Sequence, residues 1–231
     1  MAIYTISDLH LPLGIDKPMN IFGKAWDNYI DRLETNWNEK ISDSDTVVLP
    51  GDLSWATYLK DSYKDFRFIN NLKGTKIITK GNHDYYFTTL SKMKSFFSEN
   101  NFDTIKILQN NYFLVENILI CGTRGWDITG SSDDDKKLLE REAIRLELSL
   151  ENAKKDYPDK EIHVFLHYPP ILQQNRDNII LDTLYKYNVK YCYYGHLHAK
   201  GIENAFTGEY NNVIFTLISA DFLQFKPLKI K

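Results

Sequence analysis

The sequence is poor in cysteine and has no long apolar run, and both absences narrow the class of protein. Only two cysteines, Cys121 and Cys192, occur among 231 residues, and each lies in an apolar run that is typical of a buried thiol. No disulfide framework is therefore expected. No stretch of about 18 uncharged apolar residues is present, which excludes a transmembrane helix and a membrane partner. The first residues predict a strand rather than a leader peptide, so we expect cytoplasmic localisation.

The charge balance lacks the basic excess that is usual in proteins that bind nucleic acids. Lys and Arg number 28 and Asp and Glu number 31, so the formal net charge is −3, which argues against a nucleic-acid partner. Hydrophobic residues make up 43% and charged residues 26%, and these proportions favour a globular protein over a disordered or fibrous one. Because no linker or repeat divides the chain, we expect one domain over residues 1–231.

Short apolar runs alternate with longer segments of helical period, which predicts an α/β protein with parallel strands. The predicted strands are Ala2–Ser7, Thr46–Leu49, Lys76–Thr79, Thr104–Leu108, Tyr112–Val115, Ile118–Cys121, Ile162–Leu166, Lys190–Tyr194 and Val213–Leu217. The predicted helices are Lys24–Lys40, Ser62–Asn71, Thr89–Glu99, Asp135–Lys155 and Asn178–Tyr187. Three short strands separated by asparagine turns over residues 104–121 favour an antiparallel meander, so we expect a mixed sheet system.

An acidic run, Ser131–Asp135, precedes the longest predicted helix. One interpretation is a metal site. The other is a helix cap whose carboxylates lie at the positive end of the helix dipole, and this second interpretation is favoured.

Polar clusters follow the C-terminal ends of five predicted strands. The clusters consist of Asp8 and His10; Gly51 and Asp52; Gly81, Asn82, His83 and Asp84; His167; and Gly195, His196 and His198. Ligands bind at that edge of open α/β sheets, and carboxylate and imidazole groups are good ligands for first-row divalent ions. Each cluster alone is also compatible with a turn or a cap. Five of the six histidines fall in these clusters, however, and this coincidence predicts a metal site.

The order of these clusters, from about Ile6 to His198, resembles the pattern of the calcineurin-like metallophosphoesterase superfamily. The resemblance implies an α/β fold in which two mixed β-sheets pack as a sandwich flanked by helices, in four layers. It implies a hydrolase that acts on phosphate mono- or diesters at a binuclear metal centre. The first metal would be held by Asp8, His10, Asp52 and His198, and the second by Asp52, Asn82, His167 and His196, so that Asp52 bridges.

The same resemblance implies that His83 acts as a general acid and that Asp84 orients and charge-balances it. Two divalent ions bring about four positive charges. Two carboxylates and a bridging hydroxide neutralise about three of them, so about one positive charge remains. This excess favours an anionic phosphoester. We expect metal-activated water to attack phosphorus in line, without a protein nucleophile. The ligand set suits Mn, Fe, Zn or Co and does not distinguish among them.

Residues around the predicted site and the wider function leave alternatives open. Arg124, which follows a strand, either clamps a phosphate or forms a surface ion pair. Trp55, Tyr85 and Tyr86 either wall a pocket or stack on a base, or they pack in the core or at its rim, and packing is favoured. The expected substrate is a small-molecule or nucleotide-like phosphoester, and no oligomeric state is predicted. Three alternatives remain. A protein serine/threonine phosphatase usually needs a peptide groove, for which the chain leaves little sequence, and a DNA-repair nuclease is opposed by the acidic charge balance. The third is a non-catalytic metal-binding scaffold on the same fold.

Overall fold

Eleven strands form two mixed sheets in the computed structural model, which describes residues 1–231. The strands are β1 (Ile3–Thr5), β2 (Thr46–Pro50), β3 (Thr75–Thr79), β4 (Ile105–Ile107), β5 (Phe113–Val115), β6 (Ile118–Thr123), β7 (Glu161–Leu166), β8 (Tyr191–Tyr194), β9 (Gly208–Tyr210), β10 (Val213–Leu217) and β11 (Leu228–Lys229). The first sheet has the order β11-β1-β2-β3-β4, in which only β11 is antiparallel to its neighbour. The second has the order β5-β6-β7-β8-β10-β9, with a parallel centre and antiparallel edges. The predicted mixed sheets are thus confirmed.

Five α-helices cover the outer faces of the two sheets. They are α1 (Tyr29–Lys40), α2 (Tyr63–Asn71), α3 (Leu90–Glu99), α4 (Asp133–Asp156) and α5 (Ile179–Lys186). Thr89 caps α3 and Asn178 caps α5, because each side-chain oxygen accepts backbone N–H groups of the first turn. At α4, Ser132 and Asp135 form a reciprocal capping box. The acidic run before this helix is therefore a helix cap, as the favoured interpretation held.

Helix α1 starts later than predicted. The segment from Lys24 forms a short 3-10 turn, Lys24–Trp26, and the α-helix begins only at Tyr29. Asn28 between them has a φ of 49°, in the left-handed region, which interrupts a right-handed helix. The expected continuous helix Lys24–Lys40 is therefore wrong in its first turn.

Alternating side chains of the strands supply the cores on both faces of each sheet. On β2, Val47 packs towards α1, α2 and α3, whereas Val48 packs between the two sheets. On β7, Val164 packs towards α4 and α5, whereas Phe165 lies between the sheets. Strands buried on both faces read as continuous apolar runs, which is why the sequence shows no alternation there. The four-layer sandwich expected from the resemblance is confirmed.

The antiparallel meander expected over residues 104–121 is wrong. Strand β4 pairs in parallel with β3 in the first sheet, whereas β5 and β6 form an antiparallel hairpin in the second. The chain changes sheets at Asn110, whose φ is 57°, and the side-chain oxygen of Asn111 accepts the N–H of Gln109 at 2.6 Å. Short strands and asparagine turns predict a change of direction, but they do not indicate which sheet receives the next strand.

Cys121 and Cys192 are buried and unpaired. None of the helices combines the length and the apolar character that a bilayer crossing requires.

Lys76 on β3 generates a stability prediction. Its side chain is fully buried, and the amine donates to the carbonyl oxygens of Asn70, Leu72 and Gly74 at 3.2, 2.5 and 2.8 Å. Burial lowers the pKa of Lys76 to about 8, so the amine still carries its three donors at pH 7. We expect Lys76→Met to lower the free energy of unfolding by about 2–3 kcal/mol, because buried carbonyl groups after α2 lose this donor.

Urea unfolding at pH 7 measures this loss. Lys73→Met is the matched control, because Lys73 is exposed and donates only to the carbonyl oxygen of Asn38. We expect the control to change the free energy by less than about 0.5 kcal/mol. Equal losses in the two variants would contradict a structural role for the buried amine.

Candidate metal centre

The five polar clusters meet at one edge of the sandwich, where β1, β2, β3, β7 and β8 end. Backbone contacts join the loops: the N–H of Asp8 donates to the carbonyl oxygen of Gly51 at 3.0 Å, and the N–H of His10 donates to that of Asp52 at 2.9 Å. The N–H of His196, from the second sheet, donates to the carboxylate of Asp8 at 3.0 Å. The loops of both sheets are therefore tied into one unit.

Asp8 is the centre of a first group of ligand atoms. Its Oδ1 lies 3.3 Å from Nε2 of His198, and His10 completes a set whose donor atoms all lie within 4.8 Å of one another. These are three of the four side chains expected to hold the first metal. The fourth, Asp52, places Oδ2 3.8 Å from Nε2 of His10. Asp8 also belongs to a second such set with Asp52 and His167.

Asp52 and His167 are the centre of the second group. Nε2 of His167 lies 3.5 Å from Oδ2 of Asp52 and 2.5 Å from Oδ1 of Asn82. Nδ1 of His196 lies 2.9 Å from the same Asn82 oxygen. The structure thus brings all seven predicted ligands together. Oδ2 of Asp52 faces histidines of both groups, which supports the bridging role, although that role stays a prediction.

Four of the seven ligand residues have backbone in the left-handed region. The φ angles are 60° at Asp8, 46° at His10, 53° at Asp52 and 71° at His196. This conformation costs a non-glycine residue about 1 kcal/mol or more, and such residues cluster at functional sites. Their concentration at one edge indicates that the direction of these side chains, rather than local backbone preference, determines the loops.

Two glycines permit the close approach of the loops. Gly51 has a φ of 91°, and a Cβ on it would lie 2.6 Å from the Cα of Gly81. A Cβ on Gly195 would collide with the carboxylate of Asp8 and the hydroxyl of Ser7. The glycines that precede the polar clusters are therefore required by space.

Asp8 and Asp52 are almost completely buried, and no Lys or Arg pairs with either carboxylate. Burial raises the pKa of Asp52 to about 9, and the negative charges of Asp84 and Asp8 act in the same direction. Burial also opposes ionisation of Asp8, but the neighbouring histidines, His198 above all, outweigh it and lower the pKa. Buried carboxylates this close together favour a cation between them.

Three of the four imidazoles around these carboxylates are in the state that metal binding needs. Burial lowers the pKa of His167 to about 3, and it lowers the pKa of His10 and His196 as well, so these rings are neutral at pH 7. Nε2 of His198 is buried and makes no hydrogen bond, although it lies 3.3 Å from Asp8. These three neutral imidazoles and the buried carboxylates together fit a borderline divalent cation.

Asp221 contacts the ring of His198 at the nitrogen that does not face Asp8, and this contact was not predicted. Its Oδ1 lies 2.8 Å from Nδ1 of His198, on the opposite side of the ring from Asp8. Burial alone would lower the pKa of His198, but Asp8 and Asp221 outweigh it and raise the pKa to about 10. A carboxylate of this kind fixes the orientation of a metal-binding ring. Asp221 follows β10 as an isolated acidic residue, so no sequence pattern distinguishes it.

His83 lies beside the metal ligands without joining either group. Its backbone N–H donates to Oδ1 of Asp52 at 2.8 Å. Its half-buried ring lies 5.7 Å from the ring of His10 and 4.6 Å from that of Trp55. Tyr85 lies against the other side at 6.1 Å. Burial and then the charge of Lys17 lower the pKa of His83. Trp55 and Tyr85 therefore wall the space next to this ring.

Asp84 does not orient His83, and this part of the prediction needs correction. Its carboxylate accepts the backbone N–H groups of Asp52, Leu53 and Gly81 at 2.7–2.8 Å and the hydroxyl of Tyr86 at 2.8 Å. The side chain is directed at the backbone because loops after β2 and β3 leave these donors without another partner. Asp84 therefore holds the loop that carries Asp52, and it is a positioning residue.

Arg124 lies outside the metal centre. Its guanidinium is half-buried, 3.7 Å from Oε1 of Glu142 and 4.6 Å from the ring centre of Trp126. Its backbone carbonyl oxygen accepts the N–H groups of His167 and Tyr168 at 3.1 and 2.9 Å. The surface ion pair considered for Arg124 is thus a partly buried one, and a contact with phosphate stays a prediction.

Comparison with known proteins gives a family and a fold. A family model described as calcineurin-like phosphoesterase matches residues 1–200. No curated protein matches the chain. Among solved structures, a protein of unknown function from Aquifex aeolicus is 16% identical with a TM-score of 0.51, covering 99% of this chain and 95% of that one. A protein from Thermus thermophilus, TT1561, is 11% identical with a TM-score of 0.58, over 93% and 87% of the two chains.

A third similar structure, the phosphopantetheinyl hydrolase from Mycobacterium tuberculosis, is 11% identical with a TM-score of 0.51, over 99% of this chain and 95% of that one. Identities this low indicate a shared fold and carry no information about substrate.

The contacts of Asp84 generate a testable prediction. In Asp84→Asn the amide NH₂ would face backbone N–H donors, so we expect the loop carrying Asp52 to shift and the affinity for Mn²⁺ to fall about 10–100-fold. Equilibrium dialysis against buffered Mn²⁺ measures this affinity. Tyr86→Phe is the matched control, since it removes a single donor to the same carboxylate and is expected to keep the affinity within about threefold. Unchanged metal affinity with lost turnover in Asp84→Asn would instead restore the role of orienting His83.

Proposed function

The chain belongs to the calcineurin-like phosphoesterase family, and from this membership we propose that it hydrolyses phosphate mono- or diesters with the help of two divalent cations. The observation that carries the proposal is the arrangement of the seven predicted ligands, which we call the cage. Seven predicted ligands, two of them buried carboxylates, converge from five strand ends, and a histidine outside this set lies beside them. A structural ion-pair network would not need five loops to converge, three of them with non-glycine residues in the left-handed region.

The residues divide the work between binding and proton transfer. Two divalent cations would lower the pKa of a shared water and neutralise the phosphoryl oxygens. Asp8, His10 and His198 would hold one cation, and Asn82, His167 and His196 the other, with Asp52 contributing to both. The buried position of the carboxylates strengthens their attraction for the cations, because little water competes.

His83 is the group that would protonate the leaving oxygen. Its ring stands next to the cage, and no side chain binds its nitrogens. Burial and Lys17 lower its pKa, whereas the negative charge of a bound phosphate ester would oppose that shift and favour the protonated ring. Tyr85, whose ring lies 6.1 Å from that of His83, is itself exposed to solvent.

No protein nucleophile is available at the cage. The hydroxyl of Ser7 is buried and donates to the carboxylate of Asp8, and it also contacts the carbonyl oxygen of Ile218. Cys121 and Cys192 are buried inside strands of the second sheet, and burial raises the pKa of both thiols. Water therefore remains the nucleophile in this proposal.

The proposed substrate is a small-molecule or nucleotide-like phosphoester. Turnover of para-nitrophenyl phosphate or its bis ester with Mn²⁺ would support the enzyme. The screen should include a phosphopantetheinyl ester, because the similar mycobacterial structure is named a phosphopantetheinyl hydrolase. Bound metals without turnover of any ester would favour the scaffold alternative. Turnover confined to phosphopeptides would favour the protein phosphatase.

Two substitutions separate proton transfer from metal binding. We expect His83→Ala to keep its metals and lose about 10²–10⁴-fold in kcat, with the larger loss for esters of poor leaving groups. We expect Asp52→Ala to lose metal, because this carboxylate faces histidines of both groups. Metal analysis by mass spectrometry and steady-state kinetics measure both effects. An empty site in His83→Ala would show that His83 is a ligand and would reject the assigned role.

The absence of a protein nucleophile gives a stereochemical prediction. A single in-line attack by water inverts the configuration at phosphorus. We therefore expect inversion when a chiral phosphorothioate ester is hydrolysed in ¹⁸O-enriched water, as read by ³¹P NMR of the product. Retention would demonstrate two successive displacements and hence a covalent phospho-enzyme, contrary to the proposal.

A further inference from the structure

A polar cavity of about 230 Å³ lies beside the metal centre and is lined mainly by charged and polar side chains. It is formed where the ends of β3 and β6 face helix α4. Four cationic side chains line it, namely Lys80, Arg124, Arg141 and Arg145, together with a single carboxylate, Glu142. The cavity thus has a formal excess of three positive charges.

Glu142 is the only negative charge in this cavity, and it is fully buried. Its Oε2 accepts the hydroxyl of Thr123 at 2.6 Å, and its Oε1 accepts a guanidinium N–H of Arg145 at 2.7 Å. The guanidinium groups of Arg124 and Arg141 lie 3.7 and 3.8 Å from the same Oε1. One carboxylate oxygen therefore faces three guanidinium groups and can satisfy only part of their donors.

Glu142 leaves part of the guanidinium donors of this cavity without a partner. Nε of Arg124 is buried and has no hydrogen-bond partner. A buried guanidinium donor without a partner is costly. With the guanidinium groups of Arg141 and Arg145 on the same cavity, it forms the kind of site that phosphate prefers, since planar guanidinium groups bind its oxygens in pairs. The excess charge and the volume fit a phosphate or diphosphate group.

We propose that this cavity binds a second phosphate group of the substrate, distinct from the one that is hydrolysed. The proposal rests on the proposed function, because it concerns the substrate of the metal centre. The cavity and the metal centre share two loops. The carbonyl oxygen of Arg124 accepts the N–H of His167, and Lys80 lies two residues before Asn82. A molecule held in the cavity is therefore positioned next to the metal ligands, and substrates with two separated phosphates are the class that both sites together would select.

Binding of inorganic diphosphate to the metal-free protein tests the cavity by itself. Isothermal titration calorimetry is applied to the wild type, to the double variant R141Q/R145Q and to K136M/K137M. The control variant also loses two positive charges from α4, but these lysines are exposed and pair only with Asp133 and Asp134. We expect the affinity for diphosphate to fall at least tenfold in R141Q/R145Q and to change less than twofold in K136M/K137M.

A third variant guards against a merely damaged fold. Glu142→Gln keeps the size of the side chain and a hydrogen bond to Thr123 while removing the only negative charge. We expect it to bind diphosphate several-fold more tightly than the wild type. A purely structural role for the arginine cluster predicts no diphosphate binding in any variant, and that result would overturn the proposal, as would equal losses in R141Q/R145Q and K136M/K137M.

The metal-loaded enzyme tests whether the bound phosphate belongs to the substrate. We expect kcat/KM for a nucleoside 3′,5′-bisphosphate to exceed that for the corresponding monophosphates at least tenfold, and this preference to disappear in R141Q/R145Q but not in K136M/K137M. Diphosphate binding without such a preference would overturn the substrate role and leave a site for free phosphate. Hydrolysis of esters without diphosphate binding would overturn the cavity proposal alone. Diphosphate binding without hydrolysis of any ester would overturn the proposed function, and the substrate role of the cavity with it.

Discussion

The burial of Asp8 and Asp52 at one edge of the sandwich, without any Lys or Arg to pair with them, is the constraint on which the rest of the structure depends. Their ionisable neighbours are imidazoles, and burial keeps those of His10 and His167 neutral. The two carboxylates are charged at the same time only if a cation compensates them. The ring of histidines, the strained loops and the close glycine contacts all arrange metal-binding groups around these two carboxylates.

The loops keep this arrangement because further buried carboxylates bind their backbone. Asp84 accepts N–H groups from the loops after β2 and β3 and so fixes the position of Asp52. Asp65 on α2 accepts the N–H of Leu13 at 2.7 Å and the hydroxyl of Ser54, which joins the loop after β1 to the same unit. Asp221 holds the ring of His198. The metal ligands are thus oriented by a second set of carboxylates that never face the cage.

Much of this site was predictable from the sequence, because ligands that follow parallel strands must meet at one edge of a sheet. The chemistry of Asp8, His10 and the Gly-His-Leu-His cluster is visible as residue type and spacing. The contacts of Asp84 were not predictable, since a side chain that binds backbone N–H groups leaves no pattern in the chain. The same limit applies to β4, because local turn residues do not specify which of two sheets the next strand joins.

The central claim is that the seven donor side chains hold two divalent cations at once. Anomalous diffraction from crystals of the Mn²⁺-loaded protein, recorded at the manganese edge, tests it most directly. The account predicts two peaks about 3.5–4 Å apart, both surrounded by the side chains of the cage and with Asp52 between them. A single peak, two peaks farther apart than one carboxylate can bridge, or metal bound elsewhere on the protein would contradict it.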